Sequence, residues 1–262
     1  MEFKMLGTLE VFHRGRNCTP SAPKVRQVLA LLLARHGRIV DIESIIQDLW
    51  DEDPPRSAVT TSQTYIYQLR KMFAQELPDQ SPEDLLETVA PGYVLHVKPE
   101  QLDCEVFTRL IDQARWLSAA GELEKGAQQA RQALALWRGP TMSNVEHGPV
   151  LKSWRVYLEE RRIGALEMLV ALDMDLGRGQ EMIAELHELV SAHPFNEWFH
   201  LQLITALGRA GRRGEALRAY AALRRLLADE LGVDPSAEAQ QVHLAMLNGE
   251  SLVVPRSTAR AS

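Results

Sequence analysis

Thr60, Thr64, Tyr67 and Lys71 fall at i, i+4, i+7 and i+11, with Thr61, Gln63 and Gln68 beside them. On an α-helix that spacing gathers them into one stripe. Hydroxyl, amide, phenol and ammonium groups with no acid among them can hydrogen-bond base edges in a major groove. Gln can bond adenine bidentately, and a Thr methyl can meet the thymine methyl. The other side of the segment carries Val59, Ile66, Leu69 and Phe73, which predicts a helix with one buried face. By itself the stripe reads better as the outside of an ordinary amphipathic surface helix, because many surface helices are polar outside. Its surroundings have to decide.

No other constellation competes as a reaction centre. No Gly-x-x-x-x-Gly-Lys-Ser/Thr phosphate loop occurs, and no Ser or Cys sits in a recognisable nucleophile elbow. His187, His193 and His200 lack the i, i+4 pairing of a helical metal site, and His13 near Cys18 reads as incidental. Glu159-Glu160 followed by Arg161-Arg162 reads as a solvated, salt-linked helix face. The sequence therefore predicts no catalytic residues, no metal and no cofactor.

The elements that would position the stripe come next. The chain has 262 residues, enough for one or two domains, and its 45% apolar content predicts packed cores. Its longest apolar run, Val28 to Ala34, is far below the roughly 20 residues of a membrane span. No signal peptide opens it, and Cys18 and Cys104 form no disulfide or zinc pattern, so a cytoplasmic location is expected.

Net charge is −6, yet the charges are segregated. Six bases and no acid lie between Val11 and Val40, six acids crowd Asp41 to Asp53, and Pro54 to Gln75 holds only Arg56, Arg70 and Lys71. A local basic face can follow a phosphate backbone despite a negative total.

Met1 to Phe12 alternates like one or two strands around Gly7. Ser21-Ala22-Pro23 opens a helix with Val25, Val28, Leu29 and Leu32 inward, ended by Gly37. Asp41 is a candidate N-cap for a second helix, broken by Pro54-Pro55, and Ser57 for a third that runs to about Phe73. Leu86 to Val97 reads as two strands around Ala90-Pro91-Gly92.

Strands, three helices and a hairpin are the layout of a winged helix-turn-helix, and this context favours DNA for the stripe. Beyond Lys98-Pro99 the chain reads as helical. Gly177 and Gly211 lie 34 residues apart, each followed five and nine positions later by a packing residue (Met182 and Leu186, Ala216 and Tyr220). Thirty-four residues is the tetratricopeptide period. The expected fold class is mainly α with a small β component. It comprises a winged helix over 1–98, an all-α tetratricopeptide-like domain over 99–249, and a disordered tail over 250–262.

Long stretches resemble the Streptomyces antibiotic regulatory protein family of transcriptional activators, in which an OmpR-type winged helix precedes a bacterial transcriptional activator domain. The likeness is carried by Met5-Leu6-Gly7-Thr8-Leu9-Glu10-Val11 and by Pro23-Lys24-Val25-Arg26-Gln27-Val28-Leu29. Gln63-Thr64-Tyr65-Ile66-Tyr67-Gln68-Leu69-Arg70 and Pro91-Gly92-Tyr93-Val94-Leu95 carry it through the recognition helix and wing. In the second half, Ala135-Leu136-Trp137-Arg138-Gly139-Pro140 and Ala228-Asp229-Glu230-Leu231-Gly232-Val233-Asp234-Pro235 match.

The resemblance implies an activator of an antibiotic gene cluster that binds promoter direct repeats near −35 and recruits RNA polymerase holoenzyme, as a homodimer at least on DNA. It is then expected to act at the nucleoid, with no membrane partner. DNA contacts are then expected from Arg56, Thr60, Thr61, Gln63, Thr64, Tyr67 and Gln68 on the third helix, and from Thr88, Pro91, Gly92 and Tyr93 at the wing. Lys24, Arg26, Arg70 and Lys71 are the expected phosphate contacts. Asp51, Glu52 and Asp53 lie where relatives touch polymerase.

Gln68 departs from a commonly basic position, Ser62 from a core Leu, and Val89 and Ala90 from a frequent Arg and Gly. A different class of function stays open on the residues alone: a helical-repeat adaptor whose winged helix contacts protein. The 11 bases against 13 acids before Pro99 are its support.

Overall fold

The computed structural model describes residues 1–79 and 81–249; the expected disordered tail, 250–262, lies outside the described residues. Packing resolves two compact units. One joins Met1–Gln113 to Arg131–Ile163, and the other joins Ala114–Ala130 to the chain from Gly164 onward.

The first unit opens with an antiparallel meander, β1 (Glu2–Lys4), β2 (Glu10–His13) and β3 (Arg16–Asn17). Helix α1 (Pro23–Ala34) starts with Pro at a position where the lost N–H has no intrahelical partner. It buries a continuous run from Gln27 to Leu33. After β4 (Val40–Asp41), Asp41 caps α2 (Ile42–Trp50): its Oδ1 accepts the Ser44 N–H at 2.6 Å, which holds its carboxyl below the usual range. Helix α3 (Ala58–Glu76) follows, then a short α4 (Pro82–Leu85) and the hairpin β5 (Leu86–Val89) and β6 (Gly92–Leu95). The sheet order is β4-β6-β5, all antiparallel. This is a winged helix, with Leu29, Leu32, Ile45, Leu69, Phe73 and Leu95 among its buried side chains.

Helix α5 (Asp103–Ala119) follows a 3-10 turn at Pro99–Gln101, and α6 spans Leu123–Leu134. The expected break at Arg138-Gly139-Pro140 is longer than its three residues: the chain stays non-helical to Gly148, then forms the 27-residue α7 (Pro149–Asp175). This stretch lies along the N-terminal meander. Arg138 N–H donates to Leu6 O at 2.8 Å, and Met142 N–H to Met5 O at 3.2 Å. Asn144 behaves like an edge strand, its Oδ1 accepting from Leu9 N–H at 2.7 Å and its Nδ2 donating to Leu9 O at 3.1 Å. Asp103 accepts the Met5 and Leu6 N–H groups at 2.7 and 3.0 Å. Arg161 and Arg162 are half-buried, one paired with Asp112 and the other over the Trp137 ring, so the expected solvated face is partly internal.

The second unit continues the helices: α8 (Ile183–Ala192), α9 (Glu197–Arg209), α10 (Arg213–Leu231) and α11 (Ala237–Asn248). Gly177 and Gly211 occupy left-handed φ of 78° and 74° in the turns α7–α8 and α9–α10, where a side chain would be strained. Met182, Leu186, Ala216 and Tyr220 are all buried, as the repeat spacing predicts. Among the described residues no helix is long and apolar enough to cross a membrane.

One contact joins two helix ends in the first unit. Asp48, on the inner side of α2, is 2% exposed, and its Oδ1 accepts the N–H groups of Val150 and Leu151, both at 3.1 Å. These are first-turn amides of α7, which have no intrahelical acceptor. A Cβ at Gly148 would lie 2.1 Å from Asp48 O, so only glycine permits this approach.

Burial raises the Asp48 carboxyl above its ordinary 3.8, against the opposing pull of its N–H donors. The native state then binds more protons than the unfolded chain above pH 3.8, and stability falls as pH rises through that window. Asp48→Asn keeps the accepting oxygen without the charge. Thermal melts should show it at least as stable as the parent at pH 7, with the difference shrinking as the pH drops toward 3.8. Asp48→Ala leaves two amides without an acceptor and should lose about 1–3 kcal/mol. An Asn variant as unstable as the Ala variant would show that charge, not the acceptor, holds the junction.

Candidate nucleic-acid interface

Helix α3 turns Ala58, Ser62, Ile66, Leu69 and Phe73 inward. Val59 is not among them: it is 48% exposed, whereas Ser62 is fully buried. The inward positions span about 80° of the helix circumference, and Val59 falls about 20° beyond their edge, at an end with few neighbours. Ser57 precedes the helix, but its side chain caps no backbone N–H; its hydroxyl instead receives Thr61 Oγ1 at 3.3 Å. The helix also runs to Glu76, one turn past the expected Phe73.

The helix starts at Ala58, so Arg56, expected on it, lies exposed in the turn ahead of it; on the outer side Thr60, Gln63, Thr64, Tyr67, Gln68 and Lys71 are exposed, and Thr61 is half-buried. Tyr67 is 66% exposed. Thr64 Oγ1 donates to Thr60 O at 2.9 Å, which commits the hydroxyl proton and leaves the methyl and a lone pair outward. Lys71 makes no ion pair with a described residue.

The wing is tied to this helix through one side chain. Arg70 donates to Leu86 O from Nε (3.0 Å) and Nη2 (2.6 Å), and Nη2 also reaches Thr88 Oγ1 at 2.8 Å. Its guanidinium lies 5.9 Å from the centre of the Tyr93 ring. Arg70, Thr88 and Tyr93 thus meet in one cluster. Between helix and wing opens a pocket of about 480 Å³, lined by Gln63, Tyr67, Arg70, Lys71, Glu83 and Tyr93. Pro91 is exposed at the wing tip after a cis peptide bond. Gly92 is buried: a Cβ there would lie 2.0 Å from Val40 O, so its place is in the β4–β6 pairing.

Lys24 and Arg26 lie apart from this surface group and face their own chain. Lys24 Nζ donates to Glu146 Oε2 (2.7 Å), Leu49 O (3.0 Å) and Gln27 Oε1 (3.3 Å). Arg26 Nε donates to Asn144 O at 2.9 Å, and Nη1 to Pro20 O at 3.1 Å. Asp51, Glu52 and Asp53 are exposed in the turn between α2 and α3, with Asp51 at φ 54°. Sequence reasoning missed Gln27, Asp48 and Asn144. The first two did leave a signal, as polar residues inside the apolar faces of α1 and α2.

A winged helix with an exposed polar stripe, followed by paired helices, defines the class of helical-domain transcriptional regulators. Residues 17–95 match the family described as transcriptional regulatory protein, C terminal, and residues 102–247 the bacterial transcriptional activator domain. The chain is 38% identical to the regulatory protein DnrI of Streptomyces peucetius, over 95% of this chain and 93% of that one. It is 35% identical to the regulatory protein AfsR of Streptomyces coelicolor over its whole length, but spans only 26% of that relative. The solved structure of Mycobacterium tuberculosis EmbR in complex with a low affinity phosphopeptide superposes with a TM-score of 0.90 at 30% identity, covering 97% of this chain and 66% of that one. The chain belongs to the Streptomyces antibiotic regulatory protein family, and it is a transcriptional regulator rather than an enzyme.

The geometry separates the two bases at the end of the stripe. Lys71→Ala should lower the slope of log affinity against log salt by about one unit on a bound duplex. Arg70→Ala, which unties the wing, should weaken binding with that slope unchanged. A slope change of the same size for both would place the Arg70 guanidinium on a phosphate.

Proposed function

We propose that this protein activates an antibiotic or other secondary-metabolite gene cluster, binding promoter direct repeats near −35 as a homodimer and recruiting RNA polymerase holoenzyme at the nucleoid. The observation that carries the reading is the continuous outer stripe of α3, from Thr60 to Lys71, with Arg56 exposed just ahead of the helix and the wing joined through Arg70. An α-helix of this kind fits a major groove, and the hairpin around Ala90 to Tyr93 then enters the neighbouring minor groove. Thr60, Thr61, Gln63, Thr64, Tyr67 and Gln68 supply base readout, and Arg56 and Lys71 hold phosphates. Thr88, Pro91 and Tyr93 contribute from the wing. Each protomer offers one reading helix, so two protomers in the same sense read two repeats about one helical turn apart. The acidic turn Asp51–Asp53, at the end of α2, is the surface for polymerase.

In vitro selection from a random duplex library with the full chain tests this. Enrichment of two same-sense half-sites about one helical turn apart is expected. Thr64→Ala should change the preferred base at one position, whereas Lys71→Ala should weaken all selected sequences alike. Enrichment of no motif by a folded protein would contradict the reading and leave an adaptor role.

A further inference from the structure

A helix leaves its last four carbonyls without intrahelical donors. At the end of α2 all four are taken. Gln47 O accepts the Asp51 N–H at 2.8 Å, and Trp50 O accepts the Asp53 N–H at 3.1 Å. The two between them are capped by side chains of α1: Gln27 Nε2 donates to Asp48 O at 2.6 Å, and Lys24 Nζ to Leu49 O at 3.0 Å. Gln27 is 2% exposed, so its amide is held in place by packing.

The Lys24 ammonium has three donors, and the three acceptors around it (Leu49 O, Gln27 Oε1 and Glu146 Oε2) use them all. Nothing is left over for a phosphate. What these bonds fix is the last turn of α2, from which the exposed carboxylates of Asp51, Glu52 and Asp53 project.

We propose that Lys24 and Gln27 are positioning residues for the acidic turn: by capping α2 they hold the three carboxylates in one arrangement for a basic protein surface. The inference rests on the reading of this turn as the polymerase contact. A turn already ordered loses less freedom on docking, so the caps act on recruitment and not on DNA reading.

The test uses the full chain, the duplex it selects in vitro, and RNA polymerase holoenzyme of its host. Lys24→Met removes the ammonium and keeps much of the stem. Three quantities are measured: DNA affinity with its salt slope, run-off transcript at saturating regulator, and amide exchange at Asp51 and Asp53. The expected result is unchanged affinity and slope, transcript reduced about fivefold, and faster exchange at the two amides. A combined variant of Asp51→Ala, Glu52→Ala and Asp53→Ala should lose transcript to at least the same degree.

Weaker DNA binding with a slope lowered by about one unit would make Lys24 a phosphate contact and overturn the proposal. Unchanged amide exchange or unchanged transcript in Lys24→Met would overturn it as well. Full transcript from the combined acidic variant would remove the reading of the turn, and the proposal with it, even where the Lys24→Met amides exchange faster.

Discussion

A buried carboxylate at the meeting of two helix ends is the constraint on which the first unit depends. Asp48 accepts the opening amides of α7, while its own carbonyl is capped by Gln27 from α1. Three helices thereby share one polar junction inside an apolar core, where each donor left unpaired would cost about 1–3 kcal/mol. The burial that raises the Asp48 carboxyl shows that the junction is not free of cost. Its value is geometric, because hydrogen bonds have direction and apolar packing does not.

The same logic recurs around the N-terminal meander. Asp103, Asn144 and the backbone of Arg138 and Met142 pair with the strand-to-strand segment from Met5 to Leu9. Residues 135–151 fall within the stretch that matches the activator domain, yet they fold into the unit that carries α3. The winged helix that carries the α3 stripe and part of the helical region are therefore one packed body. Lys24, Arg26 and Asn144 join the opposite ends of that sequence.

The local half of this design was legible in the residues. The 3.6-residue spacing of Ile66, Leu69 and Phe73 placed the outer stripe, Pro91-Gly92 placed the wing turn, and Asp41 placed a cap that is present. Periodicity gives a direction around a helix but not how far its neighbours extend, which is why Val59 reads as buried and stands exposed. The other half was not legible, because its bonds join residues about a hundred positions apart, as Asp48 is from Val150. Charge alone cannot separate a lysine that caps a neighbouring helix from one that stands exposed. Lys24 and Lys71 look alike in the sequence and differ only in the acceptors around them.

Native-state hydrogen exchange on the full chain tests the central claim most directly. If residues 135–151 are part of the unit that carries α3, the amides of Leu9, Val150 and Leu151 exchange with the same opening free energy and denaturant dependence as the core amides of α1 and α3. Amides of Val150 and Leu151 that open at lower free energy, while α1 and α3 stay protected, would show that the winged helix stands without them.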